Sequence, residues 1–342
     1  VLCSPSWFTE TKKVKRSVDG LRCPMYFPVS GVEVSHWIPL AVSFVVSFFT
    51  SMGGISGAFL LLPFQMSVLG FTSPAVSSTN LVFNIVAIPS GVYRYIREGR
   101  MAWPLAWITI LGTLPGIFIG ATIRIKYLPD PRHFKVFMGC VLLYMALRLL
   151  LDLRAKTGQE KSKAEQIEES FRERSTRMRK ALAAGETRNP VIRTIRFSLT
   201  EYVYEFYGER FSFNTMTLSG LAFGVGIVGG IYGVGGGAII APFLVAFFHL
   251  PIYTIAGATL FGTFLTSIAG ALFYAMIAPL YAHTGLMIAP DWMLGALFGA
   301  GGFLGMYCGA RLQKYFPARL IKLVLTLTLL YLAMSYLSTL LP

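Results

Sequence analysis

Residues 229–243 read GGIYGVGGGAIIAPF, in the middle of a long apolar run. Glycine in a helix interior costs about 1 kcal/mol relative to alanine. A hydrophobic segment with glycine at 229, 230, 233, 235, 236 and 237 is therefore built to lose its helical order there. Upstream, residues 51–64 read SMGGISGAFLLLPF. Laid side by side without a gap, Gly54 falls on Gly233, an offset of 233 − 54 = 179. The same offset pairs Gly57 with Gly236, Pro63 with Pro242 and Phe64 with Phe243, and it continues to Leu81 with Leu260 and Gly91 with Gly270. Polar positions keep the register: Asn80 falls on Thr259 and Asn84 on Thr263. Later, Lys126-Tyr127-Leu128-Pro129 is repeated as Lys314-Tyr315-Phe316-Pro317, shifted to an offset of 188. The chain reads as a duplication, and each half contains one deliberately broken segment.

The bulk composition says what medium those segments occupy. Hydrophobic residues make up 54% of the 342 and charged residues only 13%, against about 25% charged in a soluble domain. Mean hydropathy is +0.61. Apolar stretches long enough to cross a bilayer, about 20 residues each, recur at 37–70, 74–96, 103–123, 133–152, 214–249, 252–280, 290–310 and 319–341. The expected fold is an all-α polytopic membrane protein of two homologous four-segment halves. A net charge of +14 would suggest nucleic acid in a soluble protein. Here the basic residues sit at segment ends and in one central block, which the positive-inside rule explains, so no nucleic-acid partner is expected.

Four regions follow: an N-terminal extension (1–36), membrane repeat 1 (37–152), a soluble insert (153–211) and membrane repeat 2 (212–342). The insert reads as small and α/β. Residues 160–184 have the charge pattern of a surface helix, with Glu168/Arg172 and Glu173/Arg177 at i,i+4 spacing and Gly185 to end it. Aromatic and β-branched runs at 192–198, 200–207 and 210–213 then predict strands, with a hairpin turn at Gly208-Glu209. The chain opens on Val1 without a signal-peptide pattern, so an upstream piece and an unusual start codon are both open readings. Cys3 and Cys23 would form a disulfide only in an oxidising compartment. Cys140 and Cys308 lie in apolar helices, where packing is the expected role.

The first segment of each half, about 35 residues long, is too long for one straight span. A kinked, tilted helix fits, and so does a re-entrant hairpin that enters, unwinds and returns. Re-entrant hairpins would make the halves inverted repeats. They would also put Arg94, Arg97, Arg100, the basic block 154–196, Arg311, Lys314, Arg319 and Lys322 on one side. The opposite side would hold the uncharged turn 70–74 and the 281–291 loop, which lacks Lys and Arg. The basic N-terminus and the Arg124/Lys126/Arg132 loop run against that arrangement. The hairpin reading is adopted, with the insert cytoplasmic and both termini outside.

Unwound backbone at membrane depth must line a cavity or be buried in protein. A helix that restarts there offers free N–H groups and about half a positive charge, an anion site. The expected substrate-binding set is therefore Gly53, Gly54, Ser56, Gly57, Thr79, Asn80, Asn84, Gly233, Gly235, Gly236, Gly237, Thr259 and Thr263, with Ser56 capping one restart. The competing reading is that the glycines serve only close helix packing. Residues 37–93 and 212–290 carry no Asp, Glu, Lys or Arg, and this disfavours a carboxylate relay or a cationic substrate. The implied partners are a small anionic substrate and membrane lipid, with a homo-oligomer as a further option.

An enzyme would need convergent His, Cys, Asp or Glu. His36, His133, His249 and His283 all fall near segment ends, without metal spacing, so no catalytic residue, metal or cofactor is expected. GVGGG is not followed by the Lys-Ser/Thr of a phosphate loop. A receptor signalling through the insert is a third class. Tyr93, Trp103, Trp107, Tyr127, Trp292 and Tyr315 suit an interfacial aromatic belt.

GGISGAFLLLPF and YGVGGGAIIAPF, the following SSTNLVFNIVAIPSG and AGATLFGTFLTSIAG, and the GxxxG helices GIFIG (116–120) and GMYCG (305–309) together resemble the TauE/SafE sulfite exporter family over 37–152 and 212–341. The resemblance implies an inner-membrane secondary transporter with duplicated halves, whose relatives are linked to export of sulfite, sulfoacetate and related organosulfur anions. The expected function is export of such an anion by alternating access. A permease for another small solute, or a sensor acting through the insert, are the alternatives.

Overall fold

A computed structural model of the chain describes residues 24–52, 55–97, 101–155, 192–198, 200–206, 209–248, 250, 252–312 and 318–338. Gly53, Gly54, Cys3, Cys23 and the expected 160–184 helix lie outside the described residues. The chain is mainly helical. A short antiparallel hairpin, β1 (Met25–Phe27) and β2 (Val32–Val34), leads into α1 (Trp37–Met52), α2 (Ala58–Ser67), α3 (Ala75–Arg97), α4 (Trp103–Lys126) and α5 (Pro131–Ala155). Strands β3 (Ile192–Phe197), β4 (Glu201–Phe206) and β5 (Glu209–Asn214) follow, and then α6 (Thr215–Tyr232), α7 (Gly236–Phe248), α8 (Ile252–Ile277), a 3-10 stretch (Ala278–Thr284), α9 (Trp292–Leu312) and α10 (Ala318–Leu337). Among the described residues, six helices are long and apolar enough to cross a membrane. The protein is thus a multi-pass membrane protein. Tyr93, Trp103, Tyr127 and Trp292 lie exposed at helix ends.

Two expectations are corrected. The strand region is a three-stranded antiparallel sheet whose β4–β5 pair is the expected hairpin, with Phe206 paired to Glu209. Glu209 therefore belongs to β5 and not to the turn. The sheet has its own aromatic core: Tyr202 stacks on Tyr204 and meets Phe213 edge-on. Cys140 is exposed on α5 and does not pack in the core.

Both long first segments break where their glycines fall, and the breaks match in detail. The Ile55 N–H donates to the Thr50 carbonyl (3.2 Å), and the Val234 N–H donates to the Gly229 carbonyl (3.1 Å). Both partners keep the sequence offset, since 234 − 55 = 229 − 50 = 179.

Small residues set the packing and reveal helix direction. Gly301, Gly305 and Gly309 of α9 lie against the carbonyls of Leu40, Phe44 and Phe48, so α1 and α9 run parallel. Gly295 and Gly299 lie against Val82 and Val86, so α3 runs the same way. In a second set, Gly116 and Gly120 of α4 lie against Phe223 and Ile227 of α6, and Gly262 and Gly270 of α8 lie against Thr109 and Ile117 of α4. Hence α4, α6 and α8 are mutually parallel. The two sets oppose each other, because Gly270 meets Leu81 while Gly91 meets Leu260. Such backbone-to-backbone approach is what small-residue spacing permits.

These directions give the bundle two distinct ends. One carries the β3–β5 sheet, Arg94 and Arg97 at the end of α3, and Arg311 at the end of α9. The last turn of α7 also comes back to this end, where Phe248 meets Phe213 of β5 at 5.7 Å between ring centroids. The other end carries β1–β2, fastened by the Ser30 hydroxyl to the Asp291 carboxylate at the start of α9 (2.9 Å).

Candidate functional site

The two breaks meet at the centre of the bundle. In the second, α6 closes on Gly233, whose φ is +78°, and Gly235 follows at +79°. Side chains rarely adopt this left-handed region, and only glycine enters it without strain. Space makes the same demand. A Cβ on Gly233 would stand 2.5 Å from the Ser77 carbonyl of α3, and one on Gly235 would stand 2.9 Å from Ser267 Oγ of α8.

Unwinding strands carbonyls in an apolar medium, and α3 supplies their donors. Asn80 Nδ2 donates to Gly233 O (2.9 Å), in the second break, and to Ala58 O (3.1 Å), at the first residue of α2 after the first break. Asn84 Nδ2 donates to Val234 O (2.9 Å) and Ser267 Oγ (3.2 Å), while its Oδ1 accepts from Ser56 Oγ (2.5 Å). Ser56 Oγ in turn accepts the Ala58 N–H at 3.3 Å, as a restart cap should. The second half answers through Tyr232, whose hydroxyl donates to the Phe59 carbonyl (2.9 Å). That carbonyl is free because its i+4 partner in α2 is Pro63, which has no N–H.

On the α8 side, the Gly236 N–H donates to Thr266 Oγ1 (3.3 Å). A Cβ on Gly236 would be 2.8 Å from Thr113 Oγ1, and one on Gly237 would be 2.6 Å from Thr263 Oγ1. The crossing is closed: Ser56, Asn80, Asn84 and Thr263 have no exposed surface.

The structure brings together Ser56, Gly57, Asn80, Asn84, Gly233, Gly235, Gly236, Gly237 and Thr263. Thr79 points elsewhere, with its hydroxyl accepting the Asp291 N–H (2.9 Å). The hydroxyls of Thr259 and Thr263 bond inside their own helix, to Ala256 O and Thr259 O. Both amide hydrogens of Asn80 and of Asn84 are already taken by protein acceptors, so in this arrangement the asparagines hold the unwound backbone. The sequence reading passed over Ser77, Thr113, Tyr232, Thr266 and Ser267. Their signal was available as polar stripes at helical spacing, 77/80/84 on α3 and 259/263/266 on α8.

Two glycine-broken segments are thus tied at their unwound backbone inside a multi-span bundle, and the family and relatives that this chain matches make it a membrane transporter, not an enzyme. Residues 39–336 match the family described as Sulfite exporter TauE/SafE, and the chain belongs to that family. It is 25% identical over 285 residues to "Probable membrane transporter protein YunE" of Bacillus subtilis, covering 81% of this chain and 89% of the relative. It is 32% identical over 99 residues to "Probable membrane transporter protein YdhB" of the same organism, covering 28% of this chain and 36% of the relative. No solved structure matches.

Proposed function

We propose that this protein is a secondary transporter that exports a small organosulfur oxyanion, with sulfite or a sulfonate such as sulfoacetate as substrate, by alternating access. The observation that carries the reading is the crossing of two glycine breaks, each followed by a helix restart and each tied to the other by Asn80. Two restarts, at Ala58 and Gly236, bring two helix N-termini into one closed region. Each adds positive potential without a formal charge, which suits an anion that must be held and then released. The glycines and Ser56 provide close backbone approach. Asn80, Asn84, Thr259 and Thr263 supply the neutral donors that exchange partners as the breaks move.

The halves are read as inverted repeats with re-entrant first segments. Support comes from α3 and α8 running antiparallel although they occupy equivalent places in the duplication, and from α7 returning to the end where α6 began. The sheet end, with Arg94, Arg97 and Arg311, is read as cytoplasmic by the positive-inside rule. An interior-negative potential favours anion exit by about 2.3 kcal/mol per charge per 100 mV, enough to drive export alone.

The test is flux from proteoliposomes loaded with labelled sulfite under a set potential, with sulfoacetate, sulfate, thiosulfate and chloride as competitors. Saturable efflux that sulfoacetate competes for and inside-negative voltage accelerates is expected. Folded protein that moves no anion would overturn the assignment.

A further inference from the structure

Arg124 lies in the last turn of α4 and has no exposed surface. By sequence it falls with Lys126 and Arg132 in a basic loop, but the fold takes its guanidinium inside. Nη1 donates to the Leu128 carbonyl, and the guanidinium carbon stands 3.7 Å from the centre of the Phe134 ring. That accounts for one edge and one face. The other edge, Nε and Nη2, has no hydrogen-bond partner among the described residues, and neither has the fully buried hydroxyl of Tyr274 on α8. The two groups are close enough to interact electrostatically. Tyr274 packs among apolar side chains of three helices, Leu81, Ala121, Ile125 and Ala271 among them.

A buried cation with its donors unfilled is costly, and a buried ionisable group on a membrane-spanning helix marks function by default. The geometry is also selective. Nε and Nη2 form the fork of arginine that grips two oxygens of one oxyanion side by side. The Tyr274 hydroxyl, buried and unpartnered like the fork, is a further donor for the same ligand. We propose that Arg124 and Tyr274 form an oxyanion-binding station between the central crossing and the β1–β2 end of the bundle. It takes sulfite, a sulfonate or a like oxyanion at the Nε/Nη2 edge. The station rests on the export reading for its place in the path, since the β1–β2 end is the exit side there. Its binding chemistry stands without that reading.

The experiment uses Tyr274→Phe, which removes only an unpartnered hydroxyl, together with Arg124→Lys, which keeps the charge and loses the fork. Protein purified in detergent and stripped of phospholipid is melted with and without sulfite and sulfate. In parallel, sulfite flux is measured in proteoliposomes. A hydrogen bond to a charged group corresponds to roughly tenfold or more in affinity. Tyr274→Phe should therefore raise the concentration for half-maximal stabilisation, and for half-maximal flux, about tenfold, and Arg124→Lys at least as much. A purely structural hydroxyl would change the melting temperature without anion and leave both half-saturation values alone, which overturns the proposal. Stabilisation that appears only when phosphatidylglycerol is added back makes a lipid headgroup the ligand and overturns it too. If Arg124→Lys does not fold, Tyr274→Phe decides alone. Wild-type protein that carries no anion, yet is stabilised by sulfite in a Tyr274-dependent way, refutes the export reading and keeps the station.

Discussion

Asn84 and Thr263 occupy equivalent positions in the duplication, yet the structure gives them unequal work. Asn84 bridges the halves with three hydrogen bonds, to Ser56, Val234 and Ser267. Thr263 bonds only the Thr259 carbonyl of its own helix. Asn84→Ala removes all three bonds. The hydroxyls of Ser56 and Ser267 can turn to other acceptors, but the Val234 carbonyl sits in unwound backbone and has no helical substitute. Leaving one buried polar group unsatisfied costs about 1–3 kcal/mol, and the lost side-chain packing adds to this, so a total of about 2–4 kcal/mol is expected. Thr263→Ala leaves a carbonyl that keeps its helical N–H partner, and about 0.5–1 kcal/mol is expected.

The assay is thermal unfolding of both variants in the same detergent, followed by flux at temperatures where both are folded. Asn84→Ala should melt clearly below Thr263→Ala and should lose transport even when folded, because the second break is no longer held in place. Equal melting shifts, or normal flux in folded Asn84→Ala, would show that the cross-tie does not support the unwound segment and would refute the reasoning.

Gly120→Leu should prevent accumulation of folded protein. Its Cβ would drive into the backbone of α6 at Ile227 and Ile231, and overpacking costs about 1–3 kcal/mol or more. Gly224→Leu, on the same α6 but with open space around it, should express and melt like the parent, as fluorescence-detected size exclusion would show. Asp291→Ala removes the bonds to the Leu294 N–H (3.0 Å) and to Ser30. A lost cap alone costs about 1 kcal/mol, and protease sensitivity or hydrogen exchange at residues 25–34 should rise sharply. Asp291→Asn, which still caps α9, should show a smaller rise.

The breaks were legible in the sequence because glycine has few other reasons to collect in an apolar helix. The 179-residue register was legible because side-chain identity survives where the backbone must turn. Composition fixed the medium, and polar residues at helical spacing on α3 pointed toward the centre. The partners of those residues were not legible. Asn80 reaches a carbonyl 153 positions away, and Ser30 reaches Asp291 across 261. A carboxylate one residue beyond the charge-free stretch looks like a loop residue until α9 and the hairpin fold around it. Arg124 reads as one more basic loop residue, because sequence gives its distance from the helix end and not the direction its guanidinium takes.

What the sequence determined alone is local: where helices can form, where glycine stops them, and that two stretches 179 positions apart read alike. Each follows from backbone and side-chain energetics within a few turns. Only the tertiary structure decided which unwound carbonyl meets which amide, which helices run together, and which charge is drawn inside. Those outcomes depend on close packing between segments far apart in the chain, where a fraction of an ångström separates a hydrogen bond from an unpaired group.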